Sequence, residues 1–521
     1  MESISAVEDR LIDGLSFKLS AGASYITDRR SVSFQPQGSN IYQSQSGTRL
    51  LRIALNGNGW LDPSTVRISY DLVNGETGGT KNLRMLGGAY SVFERARLLC
   101  GGTVIEDIDS FARVSHMLQL LKSKDSRLNE QAEGLGAEWC EHQYLAYSVN
   151  SLTGFAGGTP TTSEAARALN ADTYEGIKPG ESQRVMFKPC FGMFAESQEK
   201  FIPIEYANLI LELQLVSNPD DPVLFSGLYD SRTAENTAQG AARAASTFYK
   251  SNCTNQWRIQ NVEVKCDLIT IDDQLNASYS QHLLSGKTLS INYSTMITQV
   301  HNITAQSKPA INVTRALTRL KGIFCTLAKN DLVGPFKPGA KEYRTFWSPM
   351  SIENGYYFEN HNAVSFRHTT EGEFKFYAQL GSKRFPEYPA AGHPECYSML
   401  RKMMGHRSST IHSFDVTPRN YRDNRMILAV DMEKVSGGEA GWSGINTKSG
   451  SQLTITFEYN SGNVGDGIGN DVKIGQIGGT GTGETAITVS RTGARLADRM
   501  YVTLVSDNII EISANGVSIY D

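Results

Sequence analysis

Several groups of residues in this 521-residue chain could do chemistry, and each has to be weighed before any fold is considered. Asp267, Asp272 and Asp273 cluster near the end of an apolar run. A glycan-cleaving pair would need two carboxylates about 5–9.5 Å apart across a cleft. Asp272 and Asp273 instead stand where they would cap a following helix. The nine histidines are His116, His142, His282, His301, His361, His368, His393, His406 and His412. None falls in a His-Glu-x-x-His pattern, so no zinc site is read from them. The seven cysteines are widely spaced and include no Cys-x-x-Cys pair, which reads as reduced thiols rather than a disulfide frame or a zinc ribbon. The stretch 475–483 (GQIGGTGTG) is rich in glycine but lacks the Lys-Ser/Thr ending of a phosphate loop, so it reads as a surface loop. Asn252, Asn276, Asn292, Asn302 and Asn312 each begin an Asn-x-Ser/Thr triplet and are read as unmodified. Phe346, Trp347, Tyr356, Tyr357 and Phe358 have only Lys337, Lys341 and Arg344 nearby, too few cations for a base-stacking groove. Their reading is packing at a subunit or domain boundary. Arg29 and Arg30 are the remaining basic pair of note, with a genome-facing role the alternative to a plain surface one. No residue is assigned a catalytic, cofactor-binding or metal-binding role.

Composition narrows the classes further. Lys plus Arg number 50 against 54 Asp plus Glu, a formal net charge of -4. A protein gripping nucleic acid over its whole surface would carry many more phosphate-contacting cations, so no specific nucleic-acid site is expected. The N-terminus is acidic early and lacks the apolar core of a secretory signal, which predicts assembly inside a cell. No run approaches the ~18 apolar residues of a membrane-spanning helix.

The elements that would position these groups are mostly strands. Residues 64–73 (STVRISYDLV) alternate Val66, Ile68, Tyr70 and Leu72 with polar residues, a period of two. Leu209, Leu211, Leu213 and Leu215 likewise share one face. Residues 257–271 (WRIQNVEVKCDLITI) read as a long strand, but Ile259, Val262 and Val264 cannot share a face without a bulge near Asn261. Further strands are expected at 31–34, 48–55, 91–100, 103–105, 183–188, 288–300, 318–327, 374–380, 426–430, 453–459, 500–505 and 509–512. A bulge is expected at Gly322 and a tight turn at Gly101–Gly102. Phe111, Val114, Met117, Leu118 and Leu121 recur at helical spacing, with Asp109 as the candidate cap. Residues 272–284 (DDQLNASYSQHLL) read as a helix ended by Gly286, and 393–404 as a short one. Segments 125–180, 331–362 and 433–484 read largely as loops. The pattern is a coarse doubling of many short strands with an occasional helix, divided at residues 272–284.

Four segments carry a resemblance. Residues 200–217 (KFIPIEYANLILELQLVS), 257–288, 302–329 (with INVTRALTRLKGIFCTL) and 500–521 (MYVTLVSDNIIEISANGVSIYD) resemble, in that order, double jelly-roll major capsid proteins of the polinton-like virus, adintovirus and virophage type, which belong to eukaryotic double-stranded DNA viruses. The resemblance implies a mainly β fold: two eight-stranded antiparallel β-sandwiches side by side, with short inserted helices. It implies an N-terminal arm at 1–30, a first jelly roll at 31–271, a linking helix at 272–286 and a second jelly roll at 287–521. It implies no enzyme but a hexon-like shell protein, forming homotrimeric, pseudo-hexameric capsomers of an icosahedral capsid and localised to the virion. Neighbouring capsomers, penton proteins and minor capsid proteins are the implied partners, and an internal membrane is left open. The alternatives are a transient assembly scaffold of the same shape, or a carbohydrate- or receptor-binding β-sandwich protein.

Overall fold

The computed structural model describes residues 25–44, 49–78, 82–83, 85, 88–123, 125–126, 134, 176–195, 197–219, 221–223, 254–303, 308–328, 374–405, 414, 416, 421, 426–434, 443–448, 452–459 and 499–521. The first half contains β1 (Ile26–Phe34), β2 (Ile41–Tyr42), β3 (Leu50–Leu55), β4 (Trp60–Asn74), β5 (Phe93–Cys100), β6 (Thr103–Asp109), α1 (Phe111–Leu120), β7 (Ser182–Phe187), β8 (Leu209–Leu215) and β9 (Trp257–Ile271). Next come α2 (Asp273–Leu284), β10 (Leu289–Asn302), β11 (Ala310–Asn312), β12 (Leu320–Ala328), β13 (Phe374–Leu380), β14 (Lys383–Ala391) and α3 (Gly392–Met403). The chain closes with β15 (Ile427–Asp431), β16 (Leu453–Tyr459), β17 (Arg499–Ser513) and β18 (Gly516–Tyr520).

The same topology occurs twice. One sheet of the first half runs β1-β9-β4-β7, and its partner runs β3-β8-β5-β6. In the second half the orders are β10-β17-β12-β15 and β11-β16-β13-β14. Substituting each strand by its counterpart turns one half into the other, and every named pairing is antiparallel. Eight strands in two four-stranded sheets with this crossing order make a jelly roll, so the chain is a double jelly roll. β2 and β18 are additions, pairing with β9 and β17. Even the helices repeat, since α1 follows β6 and α3 follows β14.

Alternation builds each core. Val66, Ile68, Tyr70 and Leu72 of β4 are fully buried and pack with the leucines of β8. The outward neighbours of the β8 leucines, Ile210, Glu212 and Gln214, are only half-buried. A strand buried on one face only should read this way. The bulge expected in β9 lies at Asn261, whose φ is +52, and the β4 register slips there between Ser69 and Asp71. The slip returns Ile259, Val262 and Val264 to one face, and all three are buried. Asn261 tolerates the left-handed conformation and donates from Nδ2 to Asp71 at 2.7 Å. A register shift at Gly322 matches the second expected bulge. Gly101 and Gly102, at φ +55 and +87, turn β5 into β6.

Several expectations need correction. Asp109 does not cap α1: it ends β6, 2.9 Å from the Arg95 guanidinium, and Ser110 occupies the cap position without a side-chain bond. Residues 26–30 are not arm but the start of β1, paired from Ile26 to Ile271, because the exposed residues there extend an edge strand that one partner suffices to hold. Segments 500–505 and 509–512 form one strand, β17. β14 was not anticipated, because Pro386 and Pro389 argue against a strand. It is an edge strand, the one place in a sheet that tolerates them. Asp272 does cap its helix, accepting from the Gln274 amide at 3.2 Å.

Asn261→Val should lower stability by about 2 kcal/mol, since a β-branched residue is strained at positive φ and the bond to Asp71 is lost. The urea unfolding midpoint would register it. An unchanged midpoint would mean that the bulge does not hold β9 in register.

Candidate functional site

Among the described residues, those singled out for chemistry do not converge. Asp267 accepts from Ser31 Oγ at 2.6 Å and Arg29 Nε at 2.8 Å, and these two partners hold its carboxyl below the usual range. The same Arg29 reaches Asp62 at 3.0 Å, so it bridges two carboxylates of the sheet while its side chain stays half-exposed. Asp272 belongs to the cap of α2. His116 and His393 are buried, and His301 of β10 has its pKa lowered by burial. His142, His361, His368, His406 and His412 lie outside the described residues, as do the aromatic set Phe346–Phe358 and the glycine-rich 475–483. Among the described residues no three His, Cys, Asp or Glu side chains form a metal-holding group. Five described cysteines are free, and burial pushes the thiols of Cys100, Cys190, Cys266 and Cys396 up to about 12. A thiol so raised is a poor nucleophile at neutral pH.

What the structure does build is a seam between the two jelly rolls. Its wedge is α1. Phe111, Ala112, Arg113, Val114, Ser115, His116, Met117 and Leu120 are all buried, so the helix is covered on nearly every side. A helix covered all round lies between packed bodies. Here the bodies are the two sandwiches. Phe111, Ala112 and Val114 join the first core, while Met117, Leu120 and Leu121 join the second. The exchange is mutual. Ile291 and Tyr293 of β10, with Ile510 and Ile512 of β17, belong to the first core.

Two ionisable side chains are buried in this seam. Arg113 donates from Nε to Thr326 Oγ1 at 3.1 Å and from a terminal nitrogen to the Leu327 carbonyl at 3.2 Å, both on β12. Its guanidinium also lies 4.2 Å from the centre of the Tyr501 ring on β17, a cation–π contact. Burial lowers its pKa to about 10, which leaves it a cation at neutral pH. Glu106 on β6 accepts from the backbone amides of Gly192 at 2.9 Å and Met193 at 2.8 Å, and the Thr295 hydroxyl of β10 also bonds to it. Burial raises its pKa to about 7, opposed by those three donors. Beside it the Tyr293 hydroxyl donates to the Ile105 carbonyl at 2.9 Å. Gln198 and Lys200 of the first half donate to the Asn292 and Ser290 carbonyls of β10 at 2.9 and 2.7 Å. Gly192 is required by close approach, since a Cβ there would run into the Ser294 carbonyl.

The linking helix is docked as well. Tyr206 Oη lies 2.7 Å from Asn276 Oδ1 and 2.9 Å from Ser280 Oγ, and the Trp60 ring sits 5.0 Å from that of Tyr279. Asn276, one of the Asn-x-Ser/Thr asparagines, is thus turned onto the first jelly roll.

Sequence reasoning missed Arg113 and Glu106. Arg113 lies off the apolar stripe of α1 and would be placed in solvent. Glu106 sits beside a register shift between Leu98 and Leu99 that breaks the alternation of β6. No local signal marks either, because the covering surface comes from the other half of the chain.

No protein-family model matches the chain, and no curated protein matches it. Solved structures do. A chain in the cryo-EM structure of the Sputnik virophage is similar at 10% identity, covering 100% of this chain and 93% of its own, with a TM-score of 0.51. VP54 of PBCV-1, fitted into a reconstruction of Sputnik, aligns at 11% identity over 97% and 99% of the two chains with a TM-score of 0.49. The Faustovirus major capsid protein aligns at 8% identity over 96% and 92%, with a TM-score of 0.47. At these identities the likeness concerns the fold, and it rests on the Sputnik chain.

Two predictions follow from the seam's geometry. The neutral form of Glu106 is favoured in the folded state, so its contribution is complete below its ordinary pKa of 4.5 and is lost as pH rises through about 7. The melting temperature should therefore fall between pH 5 and 8, by the equivalent of up to ~3 kcal/mol, and Glu106→Gln should flatten that slope. An unaltered slope in the variant would assign the pH dependence elsewhere. Arg113→Ala should destabilise by roughly 3–5 kcal/mol, because two acceptors lose their donor and a wedge position empties. Calorimetry would read this as a lower midpoint, and a loss under about 1 kcal/mol would contradict the wedge.

Proposed function

We propose that this chain is the major capsid protein of a double-stranded DNA virus, acting as a structural building block with no catalysis of its own. The observation that carries the reading is the doubled topology: one polypeptide contains the same sandwich twice, joined by a buried seam rather than a loose linker. The likeness to a chain of the Sputnik virophage particle, over nearly the full length of both, supports it. So do the four sequence segments that resemble this class.

The finer assignment is a homotrimer. Three chains of two equivalent lobes give six lobes around a closed threefold axis, a pseudo-hexameric capsomer able to tile an icosahedral shell. Partners would be neighbouring capsomers, penton and minor capsid proteins. The near-neutral charge and the engagement of Arg29 with Asp62 and Asp267 favour a protein without a specific nucleic-acid site. The engaged state of Asp267 and Asp272 and the raised thiol pKa values favour a structural rather than catalytic role.

Native mass measurement at micromolar concentration should give three times the 57.2 kDa chain mass. A monomer would count against the capsomer. Purified virus particles should contain the chain as a principal component. Its presence only in immature assemblies would favour the scaffold reading.

A further inference from the structure

The seam has two parts, and they are held differently. At α1 the lobes interlock through Arg113 and the apolar residues on either side of it. At β10 the contact is built around one ionisable group. Glu106 of β6 belongs to the first jelly roll and reaches Thr295 of β10 in the second. The turn that supplies its other two donors, at Gly192 and Met193, is pressed against the same strand by the close approach of Gly192 to the Ser294 carbonyl. Phe191, Met193 and Phe194 anchor that turn in the first core. Strand β10 ends the order of its sheet, and among the described residues it pairs as a strand only with β17. Its other edge is held by the first lobe: by Glu106, by the Tyr293 hydroxyl on the Ile105 carbonyl, and by Gln198 and Lys200 on the Asn292 and Ser290 carbonyls. Leu289, Ile291, Tyr293 and Met296 pack on the first core, whereas Ile297 packs on the second.

All three donors to Glu106 are neutral, and among the described residues no cation bonds to it. A buried carboxylate without a counter-charge is costly. The Thr295 hydroxyl both donates and accepts, so it can turn to serve the carboxylate as donor or the neutral acid as acceptor. The acid therefore keeps the bond across the lobes and sheds the charge. The groups around it hold one form through the neutral range. Burial pushes the Cys190 and Cys100 thiols up to about 12 and raises the Tyr293 hydroxyl as well. Ser115 of α1, which touches Cys190, carries no charge. Asp107 and Asp507 are paired with Arg95 and Lys321. The Asp521 carboxyl, where the bond to Lys448 and the Arg315 charge outweigh burial, lies below its usual range. His116, buried on α1, is the remaining residue of the seam whose type ordinarily titrates near neutrality.

We propose that Glu106 is a proton-operated latch between the two jelly rolls: protonated, it holds residues 289–296 of β10 against β6 and the Gly192–Met193 turn, and ionised, it lets that stretch part from them so that water reaches the carboxylate. The response is local. Arg113 and α1 stay in place, so the lobes remain joined while the β10 side of the seam loosens. Burial sets the working range around pH 7, with the latch closed below it and released as pH rises through it. A switch of this kind needs a titrating group whose charged form favours an opened state, and Glu106 at a lobe boundary meets that need.

Hydrogen exchange of the full-length chain, read by mass spectrometry at pH 5.5 and 8.5 with the intrinsic rate at each pH divided out, tests the latch. In the wild type, protection of segments 188–195 and 289–296 should fall at least ~10-fold at the higher pH, while β13 and β16 keep theirs. Glu106→Gln, which cannot ionise, should show the same protection at both pH values, and His116→Asn should respond as the wild type does. Thr295→Val removes the bond across the lobes and leaves Glu106, so segment 289–296 should already be poorly protected at pH 5.5. Equal protection at the two pH values in the wild type would overturn the latch. So would full protection of Thr295→Val at pH 5.5, or a loss in the wild type that is equally large in β13 and β16. A response that persists in Glu106→Gln, or that vanishes in His116→Asn, would overturn its assignment to Glu106.

Discussion

The architecture depends on the burial of α1 between two sandwiches. A helix in that position must satisfy both neighbours, and one of its side chains, Arg113, is a buried cation held by Thr326, the Leu327 carbonyl and the Tyr501 ring. Burying a charge is costly unless its donors find acceptors. Here they are supplied by strands of the other jelly roll, more than 200 residues further along the chain. Glu106 imposes the converse demand with its three donors. The two lobes therefore cannot separate without exposing apolar surface and leaving polar groups unpaired. The pair of sandwiches behaves as one body because its connection is a core.

The outward sheet faces of the first jelly roll are treated differently. Arg52, Glu212, Arg97, Asp107, Arg95 and Asp109 form a ladder of ion pairs across β3, β8, β5 and β6. On the other sheet Arg184 bridges Asp71 and Glu263. Exposed pairs of this kind add little stability each. Their effect is to keep broad sheet faces polar, so that association is confined to edges and seams. The proposed capsomer, in which copies would meet in one geometry, would benefit from that restriction.

Much of this fold was legible where local chemistry decides it. The four leucines of β8, the limits of β9, β13 and β16, the bulge at Asn261 and the Asp272 cap all follow from alternation, turn chemistry and helix-end chemistry. Failures came where distant parts of the chain decide. The apolar stripe of α1 was visible, but nothing local says that Arg113 on its other side is covered. Asp109 looked like a cap because it precedes the stripe, yet β6 claims it through Arg95. β14 was obscured by prolines that only an edge position excuses. The doubling was legible only coarsely from the strand pattern, and sharply from resemblance. The seam that gives it meaning is tertiary throughout.

Electron microscopy of the purified protein tests the central claim most directly. The account predicts threefold particles with six equivalent lobes, each copy contributing two adjacent ones in contact at α1, and shells where such particles associate. Isolated two-lobed bodies, or two lobes variably separated within each copy, would contradict it.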